Sequence, residues 1–102
     1  MIATAIETDS LNAALSSRFG KAKYYAFFDG EKFDIQKNPY KDGEKVMAWL
    51  HEMGVKFLLL KEYGRKPCAL KEVHKITLCY PMTATPTLQE AVRIYYRIKQ
   101  IP

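Results

Sequence analysis

Cysteine is scarce in this chain: Cys68 and Cys79 are the only two, and they do not form a Cys-x-x-Cys pair. A disulfide scaffold needs more cysteines, and a structural zinc site needs clustered ligands. No apolar run approaches the roughly 20 residues that a membrane helix needs. The first residues also lack the basic leader and apolar core of a signal peptide. The sequence therefore predicts a cytoplasmic protein with free thiols.

Acidic residues are the minority charge. Sixteen Lys and Arg stand against eleven Asp and Glu, which gives a formal net charge of +5, and the excess lies after His51. This balance suits an anionic partner such as nucleic acid, phosphate or an anionic cofactor, and it also keeps an ordinary domain in solution. With 102 residues, of which 48% are hydrophobic, the chain fits one globular domain spanning 1–102.

Two β-prone runs flank an Asp-Gly pair early in the chain. The run 23–28 is aromatic, Asp29-Gly30 follows at once, and residues 32–36 alternate polar and apolar side chains. Because Asp and Gly tolerate positive φ, such a pair between two runs is a strong hairpin signal. We expect a tight turn at Asp29-Gly30 between antiparallel strands two and three. The segments before them are predicted to be a first strand over 1–7 and a loop over 9–21.

The second part of the chain alternates helix and strand signals. Asp42 can cap a helix that Gly54 ends, because Asp is a preferred N-cap and Gly commonly follows a helix. The nearly continuous apolar run 55–60 predicts a central strand that is covered on both faces. The remaining predicted elements are a helix from Pro67, a strand over 75–80 and a helix from the capping box 87–90.

The predicted element order is β-β-β-α-β-α-β-α, an α/β arrangement. Right-handed crossovers and short connections favour a five-stranded mixed sheet of order 3-2-1-4-5 with strand two antiparallel to the others. This is the layout of the three-layer ribonuclease-H-like fold. The chain leaves strands one and four in opposite directions, and ligands of open α/β sheets bind in the crevice beyond such carboxyl ends.

Several short motifs together resemble one known family. The run Arg18-Phe19-Gly20-Lys21-Ala22-Lys23-Tyr24-Tyr25 resembles the Phe-Gly-(basic)-Ala signature before strand two of the dinitrogenase iron–molybdenum cofactor biosynthesis family, the NifX/NafY-like nitrogenase accessory factors. Asn38-Pro39 after strand three is similar to that family's Asn-Pro. Three further motifs fall in family order: Glu52-x-Gly54-Val55, Gly64 and Thr87-Leu88-Gln89-Glu90-Ala91. The resemblance spans residues 1–98.

The resemblance implies a ribonuclease-H-like fold and a role without catalysis. That role is to carry an anionic metallocluster, either the iron–molybdenum cofactor or another iron–sulfur-type cluster, and to deliver it to an acceptor protein. The resemblance also implies that the motif residues Phe19, Gly20 and Gly64 belong to the cofactor-binding region.

Cations from two loops are predicted to meet at the crevice between strands one and four. The loop after strand one carries Arg18 and Lys21, and the loop after strand four carries Lys61, Arg65 and Lys66. The helix that follows would add exposed N–H groups, and a helix N-terminus beside Arg and Lys is a ready anion site. Solvated loop charges are the alternative interpretation of the same residues.

Cys68 is the candidate metal ligand. It is the second residue of the predicted helix, where the helix dipole favours the thiolate form that binds iron. A small packing residue is the alternative. Four other residues with ligand chemistry carry weaker predictions: His51 and His74 have no partner three or four residues away, Cys79 alternates with core positions, and Met82 is expected to cover a loop.

Two other function classes fit the sequence less well. A ribonuclease-H-like nuclease needs several carboxylates to hold two divalent metals. Strand one ends with Glu7 and Asp9, but strand four ends with Lys61 where an acid is needed, and no P-loop or Gly-x-Ser-x-Gly occurs. Aromatics of the run 24–28 interleave with lysines as in nucleic-acid stacking platforms, although core packing explains them more simply. A basic nucleic-acid-binding or degenerate nuclease domain is therefore the alternative function.

Overall fold

A computed structural model describes residues 1–61, 75–79 and 87–99 of the chain. The elements of these ranges are β1 (Ile2–Ile6), β2 (Tyr24–Phe28), β3 (Phe33–Lys37), α1 (Gly43–Glu52), β4 (Phe57–Leu59), β5 (Thr77–Cys79) and α2 (Leu88–Lys99). The helix predicted from Pro67 lies outside the described residues.

The five strands form one sheet of order β3-β2-β1-β4-β5, as predicted. β2 runs antiparallel to both of its neighbours, whereas β1 and β4 are parallel, as are β4 and β5. Ile6 lies opposite Tyr24, which lies opposite Lys37, so the carboxyl ends of β1 and β3 lie at the same end of the strands. We call this end of the sheet the carboxyl edge. The predicted α/β class, the mixed open sheet and the antiparallel second strand are all confirmed.

Each face of the sheet is covered by a helix, because side chains of a strand alternate between its two faces. Ala3 and Ala5 of β1 pack in a cluster with Val46 and Leu50 of α1. Ile2 and Ile6, the alternate residues, pack in a second cluster with Leu88 and Val92 of α2. A central strand with helices on both sides has no solvent-facing side chain, and all five residues of β1 are buried.

The apolar run 55–60 contains the central strand that its composition predicts. Leu58 belongs to the cluster on the α1 side, and Leu59 belongs to the cluster on the α2 side. Both are almost fully buried, at 0% and 2% exposure. The paired part, β4, is shorter than the run because only residues 57 to 59 have partners in β1.

Helix α1 begins and ends where the sequence predicts. The carboxylate of Asp42 accepts a hydrogen bond of 3.1 Å from the N–H of Glu44, which satisfies one of the free donors in the first turn. After the helix, Gly54 adopts a φ of +85°, and its N–H donates to the carbonyl of His51. This is the left-handed conformation in which glycine commonly ends a helix.

The hairpin between β2 and β3 is confirmed, but its connection has four residues, 29–32, instead of a two-residue turn. Phe28 pairs with Phe33, and their rings stack at 4.4 Å between centroids. The Asp29 side chain closes the longer loop by accepting hydrogen bonds from the N–H groups of Glu31 and Lys32, at 2.8 and 2.9 Å. Gly30 has a φ of +110°, so it supplies the left-handed position that the sequence predicts.

We predict that the hairpin loop loses stability in acid. The N–H groups of Lys32 and Glu31 hold the pKa of the Asp29 carboxyl below its ordinary value. A carboxyl whose pKa is lower in the folded state stabilises the fold above its unfolded-state pKa, about 3.9, and loses this contribution as the pH falls through its folded-state pKa. The melting temperature should therefore fall more steeply in the natural protein than in Asp29→Asn when circular dichroism melts are recorded from about pH 5 to pH 2. Parallel curves would contradict the prediction.

Candidate anion-binding site

The loop between β1 and β2 folds back onto the end of β1. Ile6 lies opposite Tyr24 in β2 and also opposite Leu15 of the loop. A strand can be paired along two sides. β2 pairs with one side of β1, so Leu15 pairs with the other side, which is the side on which β4 lies. The N–H of Ser16 donates to the carbonyl of Ala5 at 2.8 Å. Loop residues therefore lie beyond the end of β4, at the point where the chain leaves β1 and β4 in different directions.

The same loop also holds the start of α2. The N–H of Leu88 donates to the carbonyl of Ala13 at 2.8 Å, and Ala14 forms a β-bridge with Thr87. Thr87 in turn accepts a hydrogen bond of 3.4 Å from the N–H of Glu90, as expected from the capping-box spacing. The predicted loop over 9–21 is thus irregular in conformation but bonded to two regular elements.

The second half of the loop is fixed by side chains from β2 and from the end of β3. The hydroxyl of Tyr25 donates to the carbonyl of Phe19. The Nδ2 atom of Asn38 donates to the carbonyls of Gly20 and Ala22, at 3.2 and 2.9 Å. The Phe-Gly motif and the Asn-Pro motif of the sequence are therefore hydrogen-bonded to each other.

Tyr25 is part of an aromatic cluster on the α1 side of the sheet. Its ring meets those of Phe19 and Trp49 edge to face, with centroids 6.4 and 5.8 Å apart. Burial raises the pKa of the Tyr25 phenol well above its ordinary value, so the hydroxyl stays protonated and remains a donor. Phe27 is buried in the same cluster. Core packing is therefore the role of these β2 aromatics, as the simpler interpretation of the sequence predicts.

Gly20 lies directly against the beginning of α1. A Cβ atom added at Gly20 would lie 2.6 Å from the N atom and 2.8 Å from the Cα atom of Gly43. Both distances are shorter than real Cβ atoms show, and both atoms belong to backbone. The missing side chain at position 20 therefore lets the loop contact the first residue of the helix.

The predicted cations of the described chain lie at or beyond the carboxyl edge. Arg18 and Lys21 are exposed and flank the fixed pair Phe19-Gly20. Lys61 is exposed and follows β4 by two residues. Four further predicted site residues lie outside the described residues: Gly64, Arg65, Lys66 and Cys68. The meeting of the two cation sets therefore stays a prediction, as do the binding roles of Phe19 and Gly20, whose described contacts are with the protein itself.

The contacts of Asn38 and Gly43 were not predicted from the sequence. The sequence identifies Asn38 only as part of the Asn-Pro motif. A polar residue before proline usually indicates a turn, and it gives no sign of a side-chain contact with a distant loop. A glycine at the first position of α1, one residue after a good N-cap, was the only available hint of a close backbone approach.

No group of three or more His, Cys, Asp or Glu residues within 1–61, 75–79 and 87–99 is arranged to hold a metal ion. His51, Glu7 and Asp9 are exposed. In the same residues, no helix is long and apolar enough to span a membrane.

We predict that an added methyl group is costlier at Gly20 than at Gly54. Gly20→Ala forces backbone atoms apart and should lower the free energy of unfolding by about 2–3 kcal/mol. Gly54→Ala meets nothing within 4 Å and is strained only by its positive φ, which costs about 1 kcal/mol. Urea unfolding of the two variants measures both values. An equal or smaller loss for Gly20→Ala would contradict the close approach.

We also predict that Asn38→Ala lowers the free energy of unfolding by about 1–3 kcal/mol, because two partly buried carbonyls lose their donor. Asn38→Asp should be at least as harmful, since a carboxylate accepts but cannot donate. Asn12→Ala is the matched control, because Asn12 is exposed, and it should change stability by less than about 0.5 kcal/mol. Similar urea midpoints for Asn38→Ala and Asn12→Ala would refute the role of the amide.

The comparisons with known proteins agree with this architecture. The family model described as dinitrogenase iron-molybdenum cofactor matches residues 1–97. No curated protein matches the sequence. One similar solved structure is a Thermotoga protein provisionally described as a NifB protein, with a TM-score of 0.74 and 24% identity, covering 94% of this chain and 86% of that one. Another is the apo form of the orange protein from Desulfovibrio gigas, with a TM-score of 0.80 and 21% identity, covering 99% and 89%.

These two structural likenesses bear on the fold alone, since both identities are below 25%. The family match is of a different kind, because it spans nearly the whole sequence and includes the Phe-Gly and Asn-Pro motifs that hold the loop after β1. The chain belongs to the dinitrogenase iron–molybdenum cofactor family.

Proposed function

We propose that this protein is a non-enzymatic carrier with a ribonuclease-H-like fold, which binds an anionic metallocluster at the carboxyl edge between β1 and β4 and releases it to an acceptor protein. The iron–molybdenum cofactor or a simpler iron–sulfur-type cluster is the proposed cargo. Membership of the family supports the association with this cofactor. The exposed cations at this edge support the preference for an anion.

One observation carries the proposal: Arg18 and Lys21 project from a loop whose backbone is already fixed. That loop is bonded to the end of β1 through Ser16, to Asn38 after β3, and contacts the start of α1. Fixed backbone reduces the conformational entropy that a ligand must remove when it binds. Charge-assisted hydrogen bonds to an anion contribute about 1.5–3 kcal/mol each when they are well formed.

Carriage requires binding that is reversible. In the proposed cycle, the cations neutralise the charge of the cluster, and the thiolate of Cys68 supplies a ligand to one of its metal atoms. The acceptor protein takes the cluster by offering stronger ligands, which replace the thiolate of Cys68 on the metal atom. The hydrogen bonds that anchor the loop over 13–23 lie within the protein and do not involve the cargo.

We predict that Arg18→Ala with Lys21→Ala weakens cluster binding by about tenfold or more, since two charge-assisted contacts are lost. Arg65→Ala with Lys66→Ala should do the same if both loops contribute. The control is Lys32→Ala with Lys56→Ala, which removes the same charge at the end of the sheet opposite the carboxyl edge. Lys32 precedes Phe33, the first residue of β3, and the N–H of Lys56 donates to the carbonyl of Met1. Anaerobic incubation with the cofactor or a simpler cluster, gel filtration and metal analysis measure retention.

Melting temperatures should barely change in these variants, because exposed loop cations contribute little to stability. Equal losses in the Lys32/Lys56 control would show that net charge alone drives binding, and undiminished binding in both site pairs would overturn the proposal. Cys68→Ser should lower retention further if the thiolate is a ligand. Divalent-metal-dependent cleavage of RNA or DNA hybrids that disappears in Glu7→Gln or Asp9→Asn would assign the protein to the nucleases instead.

A further inference from the structure

Two peptide groups of the loop after β1 are held in a defined orientation. The carbonyl of Phe19 accepts from the Tyr25 hydroxyl, and the carbonyl of Gly20 accepts from the Asn38 amide. In a trans peptide, the C=O group and the following N–H group point in opposite directions, and the described chain contains no cis peptide bond. The N–H of Gly20 therefore points away from Tyr25, and the N–H of Lys21 points away from Asn38.

These two N–H groups have no hydrogen-bond partner among the described residues. Gly20 is half-buried, and Lys21 is exposed. Successive backbone N–H groups without protein partners can bind an anion together, because each carries a partial positive charge that needs no counter-ion. Here the exposed side chains of Lys21 and Arg18 add two full positive charges close to these N–H groups in sequence.

We propose that the N–H groups of Gly20 and Lys21, flanked by the side chains of Arg18 and Lys21, form a binding site for an oxyanion, meaning a carboxylate or a phosphate-like group. The inference deepens the proposed function, on which it rests, because it assigns the part of the ligand that this loop contacts. Directed N–H donors select oxygen acceptors of compact anions, whereas the side-chain charges alone attract any anion. Asn38 and Tyr25 are positioning residues for this site.

Asp42 is an acidic residue beside this loop. The backbone carbonyl carbon of Asp42 lies 3.3 Å from the position of a Cβ built on Gly20, and the carboxylate of Asp42 caps α1. Asn is as good an N-cap as Asp. Asp42→Asn therefore removes a negative charge near the site and keeps the cap, and it should tighten oxyanion binding by about twofold.

The test is a two-dimensional ¹H–¹⁵N NMR titration of the full chain with inorganic phosphate and, separately, with citrate. Sodium perchlorate at matched ionic strength is the control for an anion that accepts hydrogen bonds poorly. The amide signals of Gly20 and Lys21 should shift and saturate with phosphate or citrate, and those of Lys32 and Lys56 should not. Phosphate and citrate are separate arms, so their relative affinities distinguish a phosphate-like group from a carboxylate.

Asn38→Ala should weaken this titration at least threefold although both cationic side chains remain. If that variant fails to fold, Asp42→Asn and the perchlorate control still decide the outcome. Unshifted amides at Gly20 and Lys21, or equal shifts with perchlorate, would overturn the site. Saturating amide shifts in a natural protein that retains no cluster after anaerobic incubation would leave the oxyanion site standing and remove the carrier function.

Discussion

The hydrogen bonds from Asn38 to the carbonyls of Gly20 and Ala22 determine the shape of the candidate site. The connection between β1 and β2 has no regular secondary structure along its second half, and side chains bond three of its carbonyls. A single amide from the end of β3 supplies two of them, and the Tyr25 hydroxyl supplies a third. The exposed cations of this loop take their positions from these interior donors.

The parts of the structure that the sequence predicts are those governed by local pattern. Alternation and apolar runs indicate strands, caps indicate α1, and handedness rules reduce the possible topologies to the observed order. The hairpin was predicted with too short a connection, because the Asp29 carboxylate binds two N–H groups and stabilises a four-residue loop. Propensity alone does not distinguish the two lengths.

The candidate site is less accessible to sequence reasoning, because its determinants join residues that are distant in the chain. Asn38 and Gly20 are 18 positions apart, and the contact between Gly20 and Gly43 depends on how the loop crosses α1. Periodicity carries no information about either. The charges of Arg18 and Lys21 could be recognised at once, whereas the backbone that orients them could be found only in three dimensions.

The position of β3 has a consequence for how copies of the protein meet in concentrated solution. β3 forms one margin of the described sheet, and such a margin invites strands from other molecules. Here the strand is preceded by exposed Lys32 and ends at exposed Lys37. Parallel in-register stacking of copies would bring each lysine beside its own equivalent at a strand spacing of about 4.8 Å, where like charges repel. The hairpin can thus present Asn38 from a regular strand without offering a ready template for fibrous aggregation.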